Sequence, residues 1–172
     1  MFEIARELNR SMTPDRAHAA IRILRAAPMR SVGLHAVLGR REVRPAVIEF
    51  FLRDADPAGR ATAAFLLQEI PEGLPAEVLE AARRNVLDAP DALRVESMEL
   101  LAAAGLNEGD ARLIASTPAA SAFEVRIAAA RALAAGRAPV AILRSYLESL
   151  AADPSLPEEA RNAALATARE LR

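Results

Sequence analysis

Two sets of residues recur along this chain of 172 residues at an interval of about 33 residues. In one set, an arginine is followed by small and apolar residues, and the steps are 34, 32 and 35 residues: Arg60, Arg94, Arg126 and Arg161. In the other, an apolar helical stripe begins at spacings of 31 and 64 residues: Val47, Val78 and Ile142. Because about 33 residues is the length of a two-helix unit, the recurrence predicts an array of stacked helix pairs.

Apolar residues follow the period of an α-helix along the chain, and no segment alternates convincingly with a period of two. In residues 138–151 the apolar positions form one helical face: Ile142, Leu143, Tyr146, Leu147 and Leu150. Together with start and stop signals, the pattern predicts about eleven short helices that begin near residues 2, 14, 31, 44, 57, 75, 91, 108, 121, 138 and 157. Short connections predict that successive helices are antiparallel neighbours.

The predicted helix ends carry capping residues. A capping oxygen precedes a proline at Thr13–Pro14 and Asp56–Pro57. Ser121 to Glu124 and Ser155 to Glu158 match the S-x-x-E pattern of a capping box. Gly105 and Gly136 follow apolar helices and are predicted to end them.

Composition supports an all-α chain. Hydrophobic residues make up 52% of it, aromatic residues only 3%, and about forty residues are alanine. A β-sandwich or barrel would require more β-branched and aromatic residues. Disorder is excluded because hydrophobicity is high and the net charge is only −1. With no linker or low-complexity tract, residues 1–172 are predicted to form one domain.

One segment of the chain resembles a known repeat family. Val125-Arg126-Ile127-Ala128-Ala129-Ala130-Arg131-Ala132-Leu133 is similar to the V-R-x-A-A-A-x-A-L core of HEAT repeats, especially the short bacterial HEAT-like type. The stretch 43–64 also resembles a repeat boundary of this family, and the resemblance extends over residues 43–172. It implies a right-handed α-solenoid of about five antiparallel helix pairs, whose second helices line a concave binding surface. Residues 31–172 would form the repeats, and residues 1–30 atypical N-terminal capping helices.

The recurring arginine is expected to have a structural role. We expect its guanidinium to pair with an acid or a carbonyl at the helix start of the next repeat, rather than with a ligand. The residue before the arginine departs from the family pattern, since Gly59, Leu93 and Ala160 stand where valine is usual.

Residues suited to catalysis or metal binding are scarce. The chain has no cysteine, and its only histidines are His18 and His35. His18 lies three residues after Asp15, a spacing more typical of a solvated helix face than of a catalytic pair. Two histidines without a third ligand make a weak metal site. No nucleophile elbow, phosphate-binding glycine loop or zinc-binding helix motif occurs. The sequence therefore predicts no enzyme, no cofactor and no metal.

Charge is distributed unevenly along the chain. Residues 1–53 contain ten arginines and five acids, a balance of +5, whereas residues 54–172 carry −6. A partner with an acidic surface would be steered to the basic N-terminal end. The alternative is a solvated surface that has no partner.

The sequence predicts neither a membrane-spanning segment nor a secretory signal. The first residues, Met1 to Glu7, lack the apolar core of a secretory signal, and no uncharged stretch approaches about 20 residues. We expect a cytoplasmic chain without membrane contact.

The favoured function is that of a non-enzymatic protein-binding module, an adaptor or scaffold. The expected contact residues lie on exposed second-helix positions and in the basic N-terminal segment: Arg40, Arg41, Arg44, Glu77, Glu80, Arg84, Arg144 and Glu148. The alternative is nucleic-acid binding through the N-terminal arginines. It is less favoured because stacking platforms need aromatic residues, and the chain has no tryptophan and one tyrosine. A glycosylase or lyase is the least favoured class.

Overall fold

The computed structural model describes residues 43–69 and 71–171, and every regular element in these ranges is helical. The helices are α1 (Arg44–Arg53), α2 (Pro57–Leu67), α3 (Ala76–Asp88), α4 (Asp91–Ala104), α5 (Glu108–Ala115), α6 (Phe123–Ala135), α7 (Val140–Ala152) and α8 (Glu158–Glu170). Each begins within two residues of a predicted start, so the all-α prediction is confirmed for this part of the chain. The predicted helices near residues 2, 14 and 31 lie outside the described residues.

Three of the predicted caps are found, and one of them is Gly136, the C-cap of α6. Asp56 accepts a hydrogen bond of 3.0 Å from the backbone N–H of Ala58, and Pro57 occupies the first position of α2. Gly105 ends α4 with a φ of +94°, a backbone conformation that a side chain would disfavour.

The two predicted capping boxes are wrong. Helices α6 and α8 begin two and three residues after Ser121 and Ser155, with Ala122 and Pro157 at their N-caps and no side-chain cap. A capping box occurs instead at α5. There Asn107 accepts from the Asp110 N–H at 2.8 Å, and Asp110 accepts from the Asn107 N–H at 3.4 Å.

Helices pack mainly on near neighbours along the chain. Contacts join α1 to α2, α3 to α4, α5 to α6 and α7 to α8. Further contacts join odd-numbered helices to each other (α1–α3, α3–α5, α5–α7) and even-numbered helices to each other (α2–α4, α4–α6). One contiguous apolar core includes buried residues from Val47 on α1 to Ala168 on α8.

The core owes its close helix packing to alanine. Ala63 and Ala64 on α2 and Ala128 and Ala129 on α6 are completely buried. Small side chains allow helix axes to approach toward the short end of the usual range of about 8–10 Å. Leucines fill the space between them, so each helix buries its apolar face only when neighbours are present on both sides.

Several long-range polar contacts of side chains join residues that are nearly the same distance apart in the sequence. Five of them span 27 or 28 residues: Arg44–Glu72, Gln68–Glu96, Arg83–Asp110, Arg126–Asp153 and Arg144–Leu171. Each contact joins one helix to the helix two places further along the chain or to the connection before that helix. The exception is Arg144 on α7, whose partner is the residue that follows α8. Polar contacts therefore link adjacent units in the same way as the apolar core.

Candidate functional site

A groove of about 1070 Å³ lies between α1 and α3. Its walls are the exposed side of α1, the connection that leads into α3, and one face of α3. The groove is lined by Arg44, Pro45, Ile48, Glu49, Leu52, Arg53, Glu72, Gly73, Pro75, Glu77 and Arg84. Its volume lies slightly above the range typical of ligand pockets, about 300–1,000 Å³.

The apolar part of the groove comes from α1. Pro45, Ile48 and Leu52 lie on one side of this helix, and Ile48 and Leu52 are half-buried. Their spacing of three and four residues makes a stripe two helical turns long. The neighbouring positions Val47 and Phe51 are fully buried in the core. Helix α1 is therefore apolar on two adjacent faces, of which one packs inward and the other lines the groove.

The charged residues of the groove are divided between its ends. Glu72 and Glu77 lie before and in the first turn of α3, whereas Arg84 lies two turns further along the same helix. All three are exposed. Arg44 is held at the acidic end, where its Nη2 donates to the carbonyl oxygen of Glu72 at 2.7 Å. Arg53 pairs with Glu49 on the α1 side at 3.3 Å.

Three of the predicted contact residues come together here. Arg44, Glu77 and Arg84 all line the groove. Glu80 lies on the same helix but accepts a hydrogen bond of 2.9 Å from Arg83 and is not part of the lining.

The other predicted contact residues are not found at the groove. Arg144 and Glu148 lie on α7, where Glu148 is exposed and half-buried Arg144 donates to the carbonyl oxygen of Leu171. A second, smaller cavity of about 540 Å³ lies between α5 and α7, and neither residue lines it. Arg40 and Arg41 lie outside the described residues, as do His18 and His35.

Sequence reasoning missed Ile48 and Leu52 as surface residues. The pattern Val47, Ile48, Phe51 and Leu52 predicts a single core-facing stripe, and only Val47 and Phe51 are fully buried. The width of the apolar stripe is the signal in the sequence, because Val47, Ile48, Phe51 and Leu52 together cover more of the helix surface than one neighbouring helix can bury.

Two of the recurring arginines make equivalent contacts inside the structure. Arg60 Nε donates to the carbonyl oxygen of Phe51 at 3.1 Å, and Arg94 Nε donates to that of Val86 at 3.2 Å. Each acceptor is the third residue from the end of the preceding helix. The structural role is confirmed for both, but the carbonyls belong to a helix end rather than to a helix start.

Arg126 differs from Arg60 and Arg94. Its Nη1 pairs with the Asp153 carboxylate in the connection between α7 and α8, and its side chain is only 7% exposed. The Ser155 hydroxyl lies 3.5 Å from both terminal nitrogens. The partner of Arg126 is an acid, as expected, and it lies just before α8. Arg60, Arg94 and Arg126 do not line the groove.

A second ion pair of this kind joins α3 to α5. Arg83 donates to Asp110 through Nε at 2.6 Å and through Nη2 at 3.2 Å, and the Asp110 side chain is 5% exposed. Hydrogen bonding to Asp110 raises the pKa of Arg83. The pair fixes α3 relative to the start of α5 and so supports the wall of the groove.

Tyr146, the only tyrosine of the chain, provides a probe of packing on α7. Burial raises its pKa to about 12, and its hydroxyl donates to the carbonyl oxygen of Arg126 at 3.2 Å. Because an unfolded tyrosine ionises near pH 10, folding favours the protonated hydroxyl. Stability is therefore expected to fall as the pH rises from about 10 through 12.

A spectrophotometric titration of tyrosinate absorbance measures this pKa directly. We expect a midpoint near pH 12 or a sharp transition that coincides with alkaline unfolding. The Tyr146→Phe variant should show a smaller loss of stability over the same pH interval. A midpoint near pH 10 in the folded chain would contradict the burial of this hydroxyl.

Among residues 43–69 and 71–171, no group of three or more histidine, aspartate or glutamate side chains is placed to hold a metal ion. In the same ranges no helix combines the length and apolar character needed to cross a bilayer.

No protein-family model matches the sequence, and no curated protein matches it significantly.

Proposed function

We propose that the chain is a non-enzymatic protein-binding module, an adaptor or scaffold in the cytoplasm, built as a right-handed HEAT-like α-solenoid. The pairwise contacts of the helices support the solenoid, because odd-numbered helices contact odd-numbered ones and even-numbered helices contact even-numbered ones. This is the pattern of two rows of stacked helix pairs. The second helices of the predicted repeats are then α1, α3, α5 and α7.

The groove between α1 and α3 carries the functional proposal. It combines an apolar stripe, Pro45, Ile48 and Leu52, with the exposed charges of Glu77 and Arg84. Apolar anchors that exclude water, surrounded by polar groups, are typical of protein interfaces. The partner would be selected by the shape and charge of the row formed by the second helices.

Nucleic-acid binding receives less support from the same groove. Three arginines line it, but three glutamates line it as well: Glu49, Glu72 and Glu77. Phosphate binding requires an excess of positive charge along the contact surface. The described part of the chain supplies no such excess at this site.

Affinity capture from the native host tests the proposal. The tagged full chain would be recovered with and without nuclease and compared with the Ile48→Glu variant, which places a charge in the apolar stripe. We expect a stoichiometric protein partner that survives nuclease and is at least tenfold depleted with Ile48→Glu, since a charge in a buried contact costs more than about 1.4 kcal/mol.

Ala134→Glu is the matched control, because it introduces the same charge at an exposed residue of α6, which is not one of the second helices. Circular dichroism would establish that both variants fold. Equal recovery with Ile48→Glu and the unaltered chain, or a partner that disappears with nuclease, would refute binding at the groove.

A further inference from the structure

The groove between α1 and α3 has a direction. Arg44, in the first turn of α1, is hydrogen-bonded to Glu72, which lies four residues before the start of α3. The starts of both helices are therefore at the same end of the groove. Arg84 lies two turns into α3, away from that end. An acidic end, an apolar middle and a basic end follow each other along one line.

Within residues 43–69 and 71–171, no side chain engages the charges at the two ends of the groove. Glu77 and Arg84 are exposed and make no hydrogen bond or ion pair with other described residues. Glu72 is also exposed, and only its backbone carbonyl is engaged by Arg44. Of the other charges of the lining, Glu49 and Arg53 pair with each other on α1, and Arg44 lowers the net charge of the acidic end to −1 beside Glu72 and Glu77.

The dimensions of the groove favour a helix over an extended peptide. Pro45 to Leu52 and Glu77 to Arg84 each cover seven residues, which is roughly 10 Å along a helix. An extended peptide would cover this distance with about three residues, of which alternate ones point away. A helix presents residues i, i+3, i+4 and i+7 on one face and can contact both ends and the apolar middle. Two turns of helix occupy roughly 800 Å³, which the groove of about 1070 Å³ accommodates.

We propose that this groove receives an amphipathic α-helix of a partner protein that runs antiparallel to α3. The acidic first turn of the partner helix lies beside Arg84, its apolar face covers Ile48 and Leu52, and its basic last turn lies beside Glu72 and Glu77. Acidic residues in the first turn and basic residues in the last turn also suit the partner's own dipole. The inference rests on the proposed function and adds the secondary structure, charge order and direction of the partner.

Two synthetic fluorescent peptides test the charge order. Both would be about 16 residues long and carry a side-chain staple on the outer face, because isolated helices of this length are marginal in water. They share one leucine face and one composition. One has acidic residues in its first turn and basic residues in its last turn, and the other has the reverse order. Binding to the full chain would be followed by fluorescence anisotropy.

We expect the acid-first peptide to bind about tenfold more tightly than the base-first peptide, since two attractive charge contacts become repulsive. The double variant Glu77→Arg/Arg84→Glu keeps the net charge and should reverse the preference. The matched control Glu99→Arg/Arg131→Glu exchanges a charge pair on α4 and α6, whose atoms are 2.6 Å apart, and should leave the preference unchanged.

Equal affinity for the two peptides, or saturable binding of neither, would overturn the inference. So would a preference that is unaffected by the Glu77→Arg/Arg84→Glu exchange, or a DNA duplex that binds and displaces the acid-first peptide. Capture of a partner that depends on Ile48 tests the proposed function separately. A captured partner together with indifferent peptides would retain the groove as a protein site and reject the antiparallel helix.

Discussion

Substitution of Arg126 by alanine is expected to lower the free energy of unfolding by about 1.5–3 kcal/mol. The guanidinium is buried between α6 and the connection before α8, where it pairs with Asp153 and approaches the Ser155 hydroxyl. Removal leaves the Asp153 carboxylate without its cation and takes away the packing of the buried guanidinium. Equilibrium denaturation in urea would measure the change as a lower midpoint.

Arg131→Ala is the matched control for this substitution. Arg131 lies on the same helix and pairs with Glu99 at 2.6 Å, but its side chain is 65% exposed. We expect a loss of less than about 1 kcal/mol, because solvent screens exposed ion pairs. Similar losses for Arg126→Ala and Arg131→Ala would contradict a special contribution from burial.

The Arg126 pair also predicts how stability depends on acid. Hydrogen bonds from Ser155, and to a smaller extent Arg126, hold the pKa of Asp153 below its usual value. A carboxyl whose pKa is depressed by folding stabilises the native state above its unfolded pKa, and the contribution is lost as pH falls through the folded pKa. Arg126→Ala should therefore weaken, but not remove, the contribution of this carboxyl to acid denaturation.

The second large effect is expected for Gly59→Val, which we predict to destabilise the chain by about 2–3 kcal/mol. Valine is the residue that precedes the recurring arginine at Val125–Arg126. At Gly59, however, a Cβ atom would lie 2.8 Å from Cε1 of Phe50 and 3.1 Å from a carboxylate oxygen of Asp54. Because Phe50 is buried, its ring has little room to move. The better helix propensity of valine offsets only a few tenths of a kcal/mol.

Leu93→Val provides the comparison, since it introduces the same residue at the equivalent position of the next unit. Leu93 is buried, so the substitution removes volume instead of adding it and should cost about 1 kcal/mol. In Gly59→Val, a second substitution, Phe50→Leu, should recover part of the loss. Unchanged stability of Gly59→Val, or no recovery with Phe50→Leu, would show that the ring does not control this position.

Local signals in the sequence were sufficient to locate the described helices. Apolar periodicity and caps such as Asp56 and Gly105 act within a few residues, and the predicted starts agree with the structure. The Ser121 and Ser155 capping boxes were wrong because α6 and α8 begin two and three residues after these serines, with Ala122 and Pro157 at their N-caps. A serine followed by glutamate three residues later is not enough to determine where a helix begins.

The candidate site was only partly predictable. Arg44, Glu77 and Arg84 were selected because they are charged and lie on the second helices, and they line one groove. The role of Ile48 depends on how far α3 lies from α1, which no local pattern specifies. The Arg83–Asp110 pair spans 27 residues and likewise depends on tertiary packing.

The short sequence separation of the polar contacts between helices has a consequence for how the molecule folds. Five of these contacts close loops of 27 or 28 residues, so no step in assembly needs to bring distant ends of the chain together. Chains with short contact ranges fold quickly and can grow from any nucleus. In the proposed solenoid, small rotations between neighbouring helix pairs would add along the length of the molecule. In that arrangement, a partner helix bound between α1 and α3 would first change the angle between these two helices. The later helices would be affected only through contacts with their immediate neighbours.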